Sequence, residues 1–239
     1  MTKTVINLYG RYFSKNPMYD NRNWLIWTNI LTDMLMIVMV AYGFISDGIG
    51  LSTIAAALAA LGVIGLAYGK VWAFPFNMLQ NVLWFFIAWQ SKFFADCFMA
   101  IFYFLTQLVL GLPYFKKNRT NGDNLRVKRT NKKSLVLFAV IFFVFSLVAG
   151  AFSYFMGGEQ IILDTTNNAT AVASQIFQMN GSQLGNWGWM VTDVLTLIQY
   201  GISYVEGNTL AFGAIVQTAI QTVNGVRTIV NWYYMKQAG

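Results

Sequence analysis

Runs of about twenty residues nearly free of charge recur along this chain, and as a helix that length spans the hydrocarbon core of a bilayer. Backbone groups in lipid must be satisfied within the protein, so such runs fold as spanning helices or as a closed barrel. The runs are continuously apolar rather than alternating, which selects helices. Composition agrees, with 56% apolar and only 10% charged residues, where a soluble domain carries about a quarter charged.

Eight spans are expected, at 24–42, 52–68, 71–89, 93–114, 135–155, 161–179, 187–205 and 209–230, with Trp, Tyr, Lys and Gly at their ends as interfacial anchors and turns. Seven carry enough apolar residues by themselves. The sixth contains Asp164, Asn167, Asn168, Ser174, Gln175 and Gln178, and charge placement decides it. Residues 116–133 hold eight basic side chains and one acid, Asp123, so this loop is expected in the cytoplasm by the positive-inside rule. Counting outward with span six included places every Lys and Arg except Lys92 on that side, both termini with them. The polar N-terminal stretch lacks a small-residue cleavage site after a short apolar run, so no cleaved signal peptide is expected.

The expected class is an all-α polytopic membrane protein with eight transmembrane helices. Residues 72–107 close with "QLVLG" and residues 187–221 close with "QTVNG", at nearly the same spacing. These halves lie four spans apart and share an orientation. Parallel repeats of this kind occur in transporters, with the binding site at the repeat interface. The resulting division is a cytoplasmic segment at 1–23, an extra helix at 24–43, a first three-helix repeat at 52–114, a basic loop at 115–134, a linker helix at 135–155 and a second repeat at 161–234. This is a 3+1+3 parallel-repeat, SWEET-like core.

Polar residues within the spans are costly and each calls for a partner, water or a ligand. They fall at helical spacing: Asn77, Gln80, Asn81 and Trp84; Tyr103 and Gln107; Trp187, Trp189, Asp193, Thr196 and Tyr200; Gln217, Gln221 and Asn224. Such spacing lines one helix face. Amides donate and accept, which suits sugar hydroxyls and a carboxamide, while Trp and Tyr rings stack on flat heterocycles and attract cationic ones. The competing structural role is hydrogen bonding between helices, about 0.6–2 kcal/mol per contact in membranes. Asp33 near Asn29, outside the repeats, is read as such a packing group.

Several classes are excluded or disfavoured. The chain has no histidine and a single cysteine, Cys97, so it offers no metal cluster, no internal disulfide and no common general base. No nucleotide-binding loop is present, which argues against direct ATP drive. The net charge of +7 reads as a topology signal rather than a nucleic-acid surface.

Four segments, "VWAFPFNMLQNVLWFFIAWQSKFFAD" at 71–96, "YFLTQLVLG" at 103–111, "LGNWGWMVTDVLTL" at 184–197 and "VNGVRTIVNW" at 223–232, together resemble the PnuC-type vitamin transporters. The resemblance implies a three-plus-one-plus-three fold with an additional N-terminal helix. It also implies facilitated diffusion of nicotinamide riboside, trapped by intracellular phosphorylation, as a step feeding NAD biosynthesis. No cofactor is implied; the partners are the small-molecule substrate and the lipid bilayer of the inner membrane, with a homotrimer as the assembly considered. The sequence departs from the family where Trp187 and Trp189 stand two apart rather than three, where "GLPYF" at 111–115 replaces its GWYxW ending, and in the greater polarity of span six with Asn167, Asn168, Gln175 and Gln178. Thiamine, riboflavin and deoxynucleosides are therefore alternative substrates, and a structural or channel subunit is the alternative class.

Overall fold

The computed structural model describes residues 22–90, 94–119, 125–155, 161–206 and 211–238. Their regular structure is helical: α1 Asn23–Asp47, α2 Leu51–Ala67, α3 Ala73–Gln90, α4 Phe94–Thr106, a π-helical turn Gln107–Gly111, α5 Leu112–Lys117, α6 Lys132–Phe155, α7 Ile161–Met179, α8 Gln183–Val205 and α9 Ala211–Ala238. With α4, the π turn and α5 consecutive, the described residues form eight helical segments and no strand. Lys92 and the segment 1–21 lie outside the described residues.

Three segments, Asn23–Ile45, Cys97–Lys117 and Lys132–Ala151, are long and apolar enough to cross a membrane, and Thr53–Ala67 and Ala73–Ile87 are shorter apolar helices. The expectation that seven spans qualify on apolarity alone is corrected by this count. In α8 and α9 the polar stripes break up the apolar surface, as the string of amides does in α7. In α6, by contrast, Leu135, Val140, Phe143, Val144, Leu147 and Val148 are all exposed. So apolar an outer surface matches acyl chains rather than water.

The chain divides into two compact units. The first comprises Met1–Val127 and Val230–Gly239. Within it α2 turns into α3 at Gly69, where φ is +62°. The Gly69 amide donates to Leu66 O (2.9 Å) and the Lys70 amide to Gly65 O (2.8 Å), the two bonds of a Schellman stop. A side chain at Gly69 would also press on Leu125, its Cβ 2.8 Å from that of Leu125. Buried amides tie α1 to the last turns of α9: Asn29 Nδ2 donates to Asn231 Oδ1 (3.1 Å) and Asn231 Nδ2 to Asn29 Oδ1 (2.8 Å). Trp232 Nε1 donates to Leu66 O at 3.0 Å, and its ring packs on Phe115, which meets Phe74 edge-on. The Tyr68 hydroxyl donates to Asp33 Oδ2 at 2.6 Å, so Asp33 does serve as a packing group in this unit.

The second unit is Lys128–Ile229. Here α7 turns into α8 at Gly181, φ +69°, with the same pair of bonds: Gly181 N to Gln178 O and Ser182 N to Phe177 O, both 2.9 Å. Beyond the turn the two helices run in close backbone contact. A Cβ at Gly185 would overlap the Gln178 amide and fall 2.6 Å from Ser174 O. This approach explains the polarity of α7. Thr170 and Ser174 bond back to the carbonyls of Thr166 and Thr170, and Gln178 Nε2 donates to Asn186 Oδ1 at 2.8 Å. Small and self-satisfied polar residues permit an approach that large apolar ones would block.

Substituting Gly185 by Ala is expected to lower the melting temperature sharply, because the obstacle is backbone that cannot rotate away. Gly201 has open space around it, so Gly201→Ala should be neutral or stabilising by roughly 0.5–1 kcal/mol. Thermal unfolding of both variants in detergent checks the ranking, and equal melting temperatures would contradict the packing.

Candidate functional site

In the first unit, α3 carries Asn77 and Asn81 one turn apart and both buried, with Gln80 half-buried beside them and Trp84 exposed. The Asn77 amide fills the space that a Cβ at Gly62 of α2 would occupy. Its oxygen therefore lies against the neighbouring backbone. Neither Asn77 Nδ2 nor Asn81 Nδ2 has a hydrogen-bond partner among the described residues. An unmet amide donor in an apolar interior costs about 1–3 kcal/mol, so these groups are expensive as structure and available to a ligand.

Gln107 opens the π turn, which packs against α3. Gln107 and Gly111 are buried, and Gln107 Oε1 accepts no bond among the described residues. Single π turns within helices are frequent at functional sites because they re-aim one side chain relative to an α-helical register. Tyr103, one turn earlier, is half-buried.

In the second unit the stripe on α8 is mixed. Trp187 and Tyr200 are exposed, while Trp189, Asp193 and Thr196 are half-buried. Thr196 Oγ1 accepts from Asn167 Nδ2 at 3.0 Å, and Asn167 Oδ1 has no partner among the described residues. The Asp193 carboxylate faces α9 at Gly225, where a Cβ would stand 3.5 Å from Asp193 Oδ2 and 2.7 Å from Met190 Sδ. On α9, Asn224 is buried and its Oδ1 accepts from the buried Arg227. Gln221 is exposed, and the side chain of Gln217 lies outside the described residues. The "QTVNG" segment stays α-helical, so the shared QxxxG pattern yields a π turn in the first unit only.

The structure thus packs α3, which carries Asn77 and Asn81, against the π turn that bears Gln107. Separately, it brings Asp193 to Gly225. It adds two residues that the sequence reasoning did not place in a site. Asn167 bonds the Thr196 hydroxyl, and Asn186, bonded to Gln178, retains an unmet Nδ2 among the described residues. The polarity of span six was the sequence signal for Asn167; no pattern singled out Asn186. Among the described residues no cluster of three His, Cys, Asp or Glu residues is arranged to hold a metal.

Residues 49–234 match the family described as "Nicotinamide mononucleotide transporter". No curated protein matches the sequence. Among solved structures, the chain is similar to the one titled "Crystal structure of the Vitamin B3 transporter PnuC", with a TM-score of 0.71 and 16% identity, over 87% of this chain and 92% of that one. That likeness establishes a PnuC-like fold.

Proposed function

This chain belongs to the nicotinamide mononucleotide transporter family and is a multi-pass membrane transporter; on that premise we propose that it takes up nicotinamide riboside by facilitated diffusion, with trapping by intracellular phosphorylation. The observation that carries the reading is the set of buried amide atoms left unmet on α3 and the π turn, Asn77 Nδ2, Asn81 Nδ2 and Gln107 Oε1, none with a partner among the described residues. Donors and an acceptor of this kind match ribose hydroxyls and a carboxamide. A mononucleotide would add a phosphate, which calls for cations or helix N-termini. The polar side chains of α3, the π turn and the α8 stripe are neutral or, at Asp193, acidic, which favours the riboside.

On this reading 52–114 and 161–234 are parallel repeats; the identical Schellman bonds at Gly69 and Gly181 support it. The candidate substrate-binding residues are Gln80, Tyr103 and Gln107 in the first unit, and Thr196, Gln221 and Asn224 in the second with Trp187 or Trp189 to stack on the ring. The membrane is the inner, plasma membrane, with both termini and the basic loop in the cytoplasm. The motive for the topology is the concentration of basic residues on one side. Labelling of Lys236→Cys, after Cys97 is replaced, by an impermeant thiol reagent outside intact cells would sink it.

Calorimetry on the purified protein tests the substrate and the amides together. Nicotinamide riboside should bind, and Gln107→Ala should weaken it roughly five- to a hundredfold, the loss of about 1–3 kcal/mol. Asn81→Leu should weaken binding similarly without lowering the melting temperature, because it removes an unmet donor and leaves apolar volume. Asn29→Ala should leave affinity unchanged, since Asn29 is spent on Asn231. The reverse ranking overturns the assignment of the amides. Heat with thiamine or a deoxynucleoside, and none with the riboside, overturns the substrate and leaves the family standing.

A further inference from the structure

An ionised carboxylate within a membrane span is costly unless a charge or a set of donors compensates it. The two acids deepest in the spans of this protein solve that problem differently. Asp33 of α1 accepts from the Tyr68 hydroxyl at 2.6 Å and is buried. Asp193, in the middle of α8, receives no hydrogen bond and no ion pair among the described residues. Its side chain is half-buried.

The surroundings of Asp193 look built rather than accidental. Gly225 of α9 comes close to the carboxylate: a Cβ there would stand 3.5 Å from Oδ2 and 2.7 Å from Met190 Sδ, which already fills that space. Arg227, on the same helix as Gly225, is engaged with Asn224 Oδ1. One turn before Asp193 stands the half-buried Trp189, and three residues after it Thr196, bonded to Asn167. An aromatic ring, a bare carboxylate and a hydroxyl–amide pair thus fall on successive turns of one helix.

We propose that Asp193 is the counter-charge for the ring of the substrate, and that this makes the transporter selective for permanently cationic flat heterocycles over neutral ones. The inference rests on the riboside reading above and sharpens it. A pyridinium such as that of nicotinamide riboside brings the positive charge that the carboxylate lacks, and the Trp189 face adds cation–π attraction. The same chemistry admits a thiazolium and disfavours riboflavin and uncharged deoxynucleosides. A phosphate on the substrate gains nothing from this carboxylate.

Nicotinamide riboside and its 1,4-dihydro form share ribose and carboxamide and differ in the ring's charge, so their affinity ratio isolates the effect. Calorimetry on the full-length protein should show the cationic form binding about ten- to a hundredfold more tightly, the range for an opposed charge pair at partly screened depth. Asp193→Asn, of nearly the same shape, should remove most of the ratio by weakening the cationic form. Asp193→Glu should keep the preference, which guards against a variant that merely folds poorly. A ratio unchanged in Asp193→Asn, or a ratio of one in the unsubstituted protein, overturns the counter-charge while leaving riboside binding intact. Binding of neither form, with heat from a neutral nucleoside instead, overturns the riboside reading and this inference together.

Discussion

Close backbone contact between consecutive helices, made possible where a side chain is missing or small, is the constraint on which the rest of the structure depends. At Gly185 the α8 backbone lies against Ser174 and Gln178 of α7, and at Gly62 the α2 backbone receives the amide of Asn77 from α3. In a bilayer there is no hydrophobic force to drive helices together, because lipid is as apolar as their side chains. Dispersion contacts and hydrogen bonds at short range must do so, and both require approach. The matching Schellman turns at Gly69 and Gly181 deliver each helix pair into that approach with its last carbonyls already bonded.

Approach in turn sorts the polar residues. Some are consumed by the fold: Asn29 with Asn231, Tyr68 with Asp33, Trp232 with Leu66 O, Gln178 with Asn186. Others are held in place by packing yet keep an unmet atom among the described residues, as Asn77, Asn81, Gln107 and Asn167 do. The distinction matters because a membrane interior offers no bulk water to satisfy what the protein leaves open. Residues of the first kind account for stability, and those of the second are where a polar ligand gains most.

Much of this sorting was legible in the sequence, and some was not. The helical segments follow from charge-free length, and the polar sixth span was admitted on the placement of basic residues. That span is α7, Ile161–Met179. Helical spacing picked out Asn77, Asn81 and Gln107, all of them buried. It could not distinguish Asn29, which is paired, from Asn81, which keeps a free donor among the described residues, since pairing is a property of two distant segments. The π turn at Gln107 was equally hidden: the same QxxxG pattern at 221–225 gives ordinary α-helix. Hydropathy overstated α8 and α9, because a polar stripe dilutes the apolar signal that identifies a span.

On the proposed function, a chain of this fold moves a riboside down its own gradient. Purified protein in liposomes, loaded with unlabelled nicotinamide riboside and presented with the labelled compound outside, measures that exchange with no imposed proton or sodium gradient. Label should accumulate through exchange, be absent from protein-free liposomes and be competed by excess riboside. Exchange that appears only when an ion gradient is imposed, or no exchange with riboside while another vitamin exchanges readily, would contradict it.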